Sequence, residues 1–325
     1  MRRMVEDMSK VQFIDTDMVK EVLEKEKCLV IHHDDNDGFY GAYFMLHREE
    51  LGLKMNHKDI LIPSNYNNPF SSEVYQPALD AGCTAVVIVD YNIPITNLKE
   101  MITKFKYVIY TDHHKTTYNM YTKYRETLKE MYQADKLSFI YASAYSGCSI
   151  IQNLIEELSR EKFDNDTHYL TKLIDAYDRN AEGYPEAWFL SDYLFKNYRN
   201  TPDSIIWDDL RNKIFMNRAL TIGKQIHSLN YVLNEIFFSE FTKKITWEDK
   251  IWYVLYGYGN SYCFNEHINE VDGVIIYHPL PKTDKFKYSL FSSRQDVDMC
   301  AIAEKYGGGG HKSAAGFTLD IDLFE

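Results

Sequence analysis

The sequence predicts an α/β protein with two domains joined by helices: a larger domain built on a parallel sheet and a smaller one of mixed α/β structure. Runs of four to six apolar residues recur without alternation, which is typical of strands covered on both faces of a parallel sheet. A helical pattern follows the first of these runs, as a crossover connection requires. The chain has 325 residues, which is enough for two hydrophobic cores.

The domain limits follow from changes in the hydrophobic pattern. The prediction is a first domain at residues 1–195, a helical linker at residues 196–245 and a second domain at residues 246–325. Between residues 185 and 246 apolar side chains recur at near-helical spacing. We therefore expect helices that join two domains rather than a third domain.

The elements of the first domain are predicted in chain order. Residues 1–27 should form a helix, because apolar side chains such as Val19 and Leu23 share one helical face. Strands should begin at Cys28, Lys58, Ala85, Tyr107 and Leu137. Further helices are expected at residues 38–51 and 146–159. The loop at residues 63–72, rich in Asn, Ser and Pro, is a candidate rim of a ligand site.

The second domain should contain strands at residues 252–256, 271–277 and 286–291. A short amphipathic helix at residues 298–306 is predicted to follow them. Four glycines at residues 307–310 come next. Such a run can bring backbone N–H groups close to an anion, although part of it can simply end the helix.

Carboxylates and imidazoles follow the buried runs of the first domain. The candidate groups are His33, Asp35, Asp37, Asp90, Asp112, His113, His114 and Asp178. The carboxyl ends of parallel strands meet at one edge of a sheet, so these groups should converge there. Packed carboxylates repel one another unless cations neutralise them. Oxygen ligands with a few imidazoles favour Mn²⁺ or Mg²⁺, and two such ions about 3.5–4 Å apart hydrolyse phosphate esters.

Each group also has an ordinary structural interpretation. Asp90 alone is typical of a helix N-cap, and His33 alone of a half-buried, hydrogen-bonded histidine. Asp35 and Asp37 before a glycine are compatible with an acidic turn. Four such segments in one chain make the two-metal interpretation the stronger one.

These residues resemble the motifs of the DHH phosphoesterases. The matching segments are His33-Asp34-Asp35-Asn36-Asp37-Gly38, the strand-terminal Asp90, Asp112-His113-His114, the helical Asp178, and the glycine-rich segment Gly307–Phe317 of the C-terminal domain that accompanies this family. The resemblance extends over nearly the whole chain.

The resemblance implies a role for each matching residue. One manganese ion would be bound by His33, Asp35 and Asp90, and the other by Asp37, Asp90, His113 and Asp178, with Asp90 as the bridge. His114 would face the scissile phosphate or complete a metal shell, and Asp112 would orient an imidazole. Arg294, Gly308, Gly309, Gly310 and His311 would bind the substrate phosphate.

Two features depart from a simple match. Tyr91 follows Asp90, where many relatives have a histidine or a small residue. Asp175 lies one helical turn before Asp178, and spacing alone leaves the ligand open between them. The resemblance favours Asp178.

Composition bounds the partners. The formal net charge is −12. Proteins that move along long polynucleotides usually carry a basic surface that contacts the phosphates, and a chain of this charge is not expected to have one. The five cysteines are widely spaced and form no Cys-x-x-Cys pair, and no apolar segment approaches a membrane span. We therefore expect reduced cysteines, a cytoplasmic location and no membrane partner. The oligomeric state is open, with a homodimer among the alternatives.

The expected function is a manganese-dependent phosphodiesterase, with Mg²⁺ as the alternative metal, that hydrolyses short oligonucleotides or linear dinucleotides to nucleoside monophosphates. Alternative enzymes of the same class are a cyclic-dinucleotide phosphodiesterase, a RecJ-like single-strand exonuclease and a 3′-phosphoadenylate phosphatase. The non-enzymatic alternative is a regulator that binds a nucleotide. Retention of every acidic and imidazole position disfavours that last one.

Overall fold

The computed structural model describes residues 2–66, 70–197, 201–257, 261–264, 266–281 and 283–324. The chain divides into two compact units, Met1–Lys224 and Gln225–Glu325. Each unit has its own sheet and its own hydrophobic clusters. The division falls inside the predicted linker of residues 196–245, whose exact limits stay a prediction.

The first unit contains a seven-stranded sheet. Its strands are β1 Arg2–Glu6, β2 Lys10–Asp15, β3 Cys28–His33, β4 Ile60–Ser64, β5 Ala85–Val89, β6 Tyr107–Asp112 and β7 Leu137–Ala142. They lie in the order β1-β2-β7-β6-β5-β3-β4. The last five of this order pair in parallel, whereas β1 and β2 form an antiparallel pair at the β7 edge. The predicted α/β class with a mainly parallel sheet is confirmed.

Helices cover this sheet on both faces. They are α1 Thr16–Lys25, α2 Asn36–Leu46, α3 Ser72–Asp80, α4 Ile95–Lys104, α5 Lys115–Gln133, α6 Gly147–Ser159, α7 Asn165–Asp178, α8 Pro185–Asn197, α9 Ile206–Leu210 and the first part of α10 Lys213–Phe241, which continues into the second unit. Along β3, Val30 belongs to one hydrophobic cluster and Ile31 to another, and Val87 and Ile88 of β5 divide in the same way. Successive side chains of a strand point to opposite faces, so both faces are buried and the sequence shows no alternation.

The predicted N-terminal helix is wrong for residues 2–15, which form β1 and β2. Helix α1 begins only at Thr16, where the Asp15 carboxylate accepts the backbone N–H groups of Asp17 and Met18 at 3.2 and 3.4 Å. Val11 and Phe13 are fully buried, and this tertiary burial outweighs local preference. The helix predicted at residues 38–51 is also shorter, because α2 ends at Leu46 and a 3₁₀ turn follows at Arg48–Leu51.

The strand order places a crevice at the carboxyl ends of β3 and β5. Strand β4 follows β3 along the chain and pairs on one side of it, whereas β5 pairs on the other side. The chain therefore reverses its direction of travel across the sheet at β3. In open α/β sheets, this switch point is where ligands bind.

The second unit contains a six-stranded mixed sheet. Its strands are β8 Thr242–Trp247, β9 Lys250–Tyr256, β10 Gly273–Pro279, β11 Phe286–Phe291, β12 Gly309–Gly310 and β13 Ala314–Leu319, with helix α11 at Met299–Glu304 and 3₁₀ turns at Ser261–Phe264 and Ile268–Glu270. Among these described strands, only β9 and β10 pair in parallel. The helical stretch predicted to reach residue 246 ends at Phe241, because β8 adds to the sheet and Trp247 packs on Trp252.

All five cysteines are buried, and none is paired in a disulfide. Among the residues that the structure describes, no helix combines the length and the apolar character that a bilayer crossing requires.

Arg48 and Asp59 form a completely buried ion pair that the sequence did not indicate. Arg48 Nη1 lies 2.6 Å from Asp59 Oδ2, and both side chains are inaccessible to solvent. The Leu23 carbonyl accepts two further guanidinium N–H groups, and the Cys28 N–H donates to the other Asp59 oxygen at 3.1 Å. The pair links the end of α1, strand β3 and the turn after α2.

We expect Arg48→Met to lower the free energy of unfolding by about 3–5 kcal/mol, because Asp59 would stay buried without its counter-charge. Urea denaturation measures this loss. Lys25→Met is the matched control, since it breaks the exposed pair with Glu21 and should have a far smaller effect. Equal losses in the two variants would contradict the argument.

Candidate metal centre

The first motif joins the end of β3 to the start of α2. His33 is the last residue of β3, and Asp35 caps α2 by accepting the Gly38 N–H at 2.9 Å. Asp37 lies in the first turn of the helix and is buried. A Cβ at Gly38 would lie 2.3 Å from the His33 carbonyl oxygen, so this tight junction requires a glycine. The junction directs all three side chains to the switch point.

Asp90 follows β5 directly and is completely buried. Its backbone is left-handed, with φ at 57°, a conformation that costs energy in a residue other than glycine and is concentrated at functional sites. One carboxylate oxygen lies 3.0 Å from His113 Nε2 and the other 3.6 Å from His33 Nδ1. Neither oxygen accepts a hydrogen bond of good geometry from the described residues.

Asp112 accepts hydrogen bonds from the two histidines that follow it. Its Oδ1 accepts the His114 Nδ1–H at 2.7 Å and the His113 backbone N–H at 2.8 Å, while the Thr117 hydroxyl donates to Oδ2. Burial opposes ionisation of Asp112, but the neighbouring His114 outweighs it and holds the pKa of Asp112 below its usual range. The carboxylate therefore fixes the orientation of the His114 ring.

The fourth motif contains two aspartates with different partners. Asp178 is the last residue of α7, and its Oδ2 lies 3.3 Å from His113 Nε2. Within the described chain, that oxygen accepts no hydrogen bond. Asp175 instead accepts the Ser146 N–H at 2.7 Å and pairs with Arg179 at 2.5 Å.

The side chains of the first unit that the sequence singled out come together. The potential ligand atoms lie within 4.8 Å of one another in each of three groups, namely His33, Asp35 and Asp90; Asp37, His113 and Asp178; and Asp90, Asp112, His113 and His114. Asp90 also approaches imidazoles of both of the first two groups. This geometry fits two cations that share one carboxylate.

The electrostatics fit the same occupant. Burial raises the pKa of Asp90 well above its ordinary value, and the Asp37 and Asp35 carboxylates raise it further. Burial also raises the pKa of Asp178, where repulsion from Asp37 and Asp90 adds to the shift against the opposing effect of His113. Divalent cations remove this penalty by neutralising the carboxylates. The buried oxygens without hydrogen bonds are the atoms that such cations would contact.

Sequence reasoning missed the part played by the start of α6. The N–H groups of Gly147 and Cys148 donate to the two oxygens of Asp37 at 2.6 and 3.0 Å, which holds that carboxylate at a helix N-terminus. A Cβ at Gly147 would lie 2.3 Å from the Asp90 Cβ. The available signal was Ser146-Gly147 at the start of a predicted helix after a strand. The sequence pattern by itself indicates only that a helix begins there.

A cavity of about 700 Å³ opens beside the first motif. Residues 34–37 and Asp178 line its acidic side. Phe39, Tyr177 and Leu190 belong to its apolar side. The size lies in the range of pockets that bind small organic ligands.

The other predicted site residues lie in the second unit. Arg294 pairs with two carboxylates, Asp272 at 2.8 Å and Asp296 at 2.7 Å. Its guanidinium is partly exposed, so a phosphate would compete with these carboxylates for it. The phosphate-binding role of Arg294 stays a prediction.

The glycine run ends α11 and begins a hairpin. Gly308 donates its N–H to the Ala303 carbonyl at 2.9 Å, while Gly309 and Gly310 pair with β13. A Cβ at Gly308 would lie 2.0 Å from the Gly316 carbonyl oxygen, and Gly310 has φ at 141°. His311 lies in the hairpin turn. Backbone geometry thus accounts for Gly308 and Gly310, and Gly307 also has a positive φ of 77°. Contact of the glycines with an anion stays a prediction.

Comparison with known proteins gives relatives of low identity. No protein-family model matches the chain. The uncharacterized protein R106 of Acanthamoeba polyphaga mimivirus is 24% identical over 338 residues, covering 96% of this chain and 70% of that protein. The DHH domain of a member of a family of ribosomal proteins superposes with a TM-score of 0.64 at 11% identity, over 93% of this chain and 84% of that one.

Two structures of the exonuclease RecJ are also similar. RecJ bound to manganese gives a TM-score of 0.50 at 12% identity, over 94% of this chain and 89% of that one. RecJ of Thermus thermophilus with Mn²⁺ gives 0.50 at 14%, over 94% of this chain and 51% of that one. The chain therefore has the fold of the DHH-domain proteins, the family whose motifs its sequence resembles.

Proposed function

We propose that this protein is a metal-dependent phosphoesterase, and more narrowly a manganese-dependent phosphodiesterase of short oligonucleotides or linear dinucleotides. The observation that carries the proposal is the buried cluster at the β3–β5 switch point, centred on Asp90. Its carboxylate contacts imidazoles of two ligand groups and has two oxygens without hydrogen bonds from the described residues. Such a cluster is costly unless cations occupy it.

Two groups of residues would hold the ions. They are His33, Asp35 and Asp90 for one ion, and Asp37, His113 and Asp178 for the other, with Asp90 shared because it also approaches His113. When bound, a metal pair supplies an activated water and neutralises charge on the phosphoryl oxygens. The similarity to two manganese-bound RecJ structures supports a divalent metal ion, and Mn²⁺ is our proposal for it.

The protein's own groups prepare this site before substrate arrives. Asp112 accepts the His114 Nδ1–H and so fixes the orientation of this ring beside the proposed ligand groups. The N-terminus of α6 holds Asp37 in place. Rigid orientation of this kind lowers the cost of ordering the site during reaction.

Two observations support a short substrate. The net charge of −12 opposes a long polyanion, which must pass an acidic surface. The cavity beside the first motif is about 700 Å³, a volume in the range of pockets that bind small organic molecules rather than polymers. The similarity to RecJ supports a second candidate, a single-strand exonuclease.

The test is incubation with Mn²⁺ and a panel of 5′-labelled dinucleotides, longer RNA and DNA, cyclic dinucleotides and 3′-phosphoadenylate. We expect dinucleotides and oligomers of a few residues to be cut fastest, with modest dependence on salt. Faster hydrolysis of long strands together with a steep fall in rate with salt would favour the exonuclease. No hydrolysis of any substrate with Mn²⁺ or Mg²⁺ would contradict the enzyme and favour a nucleotide-binding regulator.

Arg294→Ala tests whether the second unit binds the substrate phosphate. We expect a higher KM or slower turnover with unchanged metal content, because Arg294 is not among the proposed metal ligands. Steady-state kinetics and metal analysis measure the two effects. Lys285→Ala, an exposed cation of the same unit, is the control. Loss of bound manganese in Arg294→Ala, or equal kinetics in the two variants, would contradict this role.

A further inference from the structure

Two stacked tyrosines border the metal centre. Tyr91, the residue that departs from the family pattern, is 3% exposed and lies next to Asp90 in the chain. The Tyr66 ring stacks on it, with centroids 4.9 Å apart and planes at 27°. Tyr66 is 51% exposed although it lies beside a charged cluster. Tyr91 thus packs against one side of a half-exposed tyrosine.

The exposed ring lies close to the histidines of the centre. Its centroid is 5.3 Å from that of His33 and 6.0 Å from that of His114. A flat group resting on Tyr66 would therefore remain within one nucleotide's reach of a phosphate bound at the centre. Tyr66 also lies in the loop of residues 63–72, which the sequence indicated as a rim.

Hydrogen bonds hold the ring in place. The Asn92 backbone N–H donates to the Tyr66 hydroxyl oxygen at 3.1 Å, and the Asn92 side-chain amide donates to Thr117 Oγ1 at 2.7 Å. Thr117 in turn donates to Asp112, which orients His114. Tyr66 and His114 are thus positioned by one connected network, so the ring is ordered in advance of binding.

We infer that Tyr66, supported by Tyr91, is a stacking platform for a nucleobase of the substrate. The inference rests on the proposed function for the nucleotide substrate and its phosphate chemistry, and adds the residue that would contact the base. A half-exposed, preordered aromatic ring beside a phosphate site provides a π-face that every base can use. The platform selects nucleotides over sugar phosphates and inorganic polyphosphates.

The test compares AMP with ribose 5-phosphate, which share the phosphate and the ribose but differ in the base. Calorimetry with Mn²⁺ present should show tighter binding of AMP to the wild-type protein. Tyr66→Ala and Tyr66→Leu should weaken the affinity for AMP by about 5- to 100-fold, the range expected for loss of one base–aromatic stack. The affinity of both variants for ribose 5-phosphate should stay at the wild-type value. Tyr66→Phe should retain the preference, because it keeps the ring.

Three results would overturn the platform: equal wild-type affinity for the two ligands, equal weakening of both ligands in Tyr66→Leu, or loss of bound manganese in that variant. The last two would indicate that the ring only packs against His33. The proposed function is tested separately, because it would be contradicted if the wild-type protein hydrolysed no phosphoester. The binding comparison still decides the platform in that case.

Discussion

Asp90→Ala is expected to abolish hydrolysis, with a loss of at least about 1,000-fold in kcat, and to reduce the bound manganese. The side chain approaches imidazoles of both proposed ligand groups and is the one carboxylate common to the two predicted ion shells. Its removal would leave each ion with an incomplete set of ligands and without the carboxylate that the two shells would share. Turnover of a labelled dinucleotide and metal analysis of the purified protein measure the two losses.

Asp80→Ala is the matched control, because this aspartate lies at the end of α3, outside the cluster. It should retain wild-type activity and metal content. Thermal melting of both variants shows whether each is folded. A folded Asp90→Ala protein that keeps half its rate, or wild-type activity in excess chelator, would contradict the two-metal site.

Asp178→Asn is expected to lower manganese occupancy and to slow turnover by about 100-fold or more, whereas Asp175→Asn should leave metal content nearly unchanged. The two aspartates lie on one face of α7, but their contacts differ. Asp178 approaches His113 and has an oxygen without a hydrogen bond from the described residues, whereas Asp175 is occupied by Ser146 and Arg179. A carboxylate that already holds a helix start and a guanidinium has little capacity left for a metal ion.

The pair therefore separates a ligand from a structural residue. Asp175→Asn should instead lower the melting temperature, because Arg179 loses its ionised partner and the buried Ser146 N–H loses a charged acceptor. Manganese titration and thermal melting of both variants give the comparison. The reverse order, with metal lost only in Asp175→Asn, would move the ligand to Asp175.

Much of the first unit could be predicted because its signals are local. The runs beginning at Cys28, Ala85, Tyr107 and Leu137 are strands, and the polar residues after the first three converge as parallel strand ends must. A strand that is buried on both faces appears in the sequence as an uninterrupted run of apolar residues. The charged residues at its end follow directly in the chain. These features need no knowledge of distant contacts, although the ligand roles themselves remain predictions.

The strands β1 and β2 show the limit of local reasoning. Residues 2–15 pair with each other and with β7, which begins only at Leu137. Burial of Val11 and Phe13 in the sheet beside that distant strand decides their conformation. Propensity in a short window cannot report such pairing, so the helix predicted there was wrong.

Only the tertiary structure decided the details of the centre. The sequence placed Asp175 and Asp178 one turn apart on the same helix face, and contacts with Ser146 and Arg179 distinguish them. The close approach of Gly147 to Asp90 and the stacking of Tyr66 on Tyr91 likewise join segments that are far apart in the chain. The physical reason is the same in each case: residue type and spacing determine which chemical groups reach the end of a strand, whereas packing between separate elements determines which of those groups remain available to a ligand.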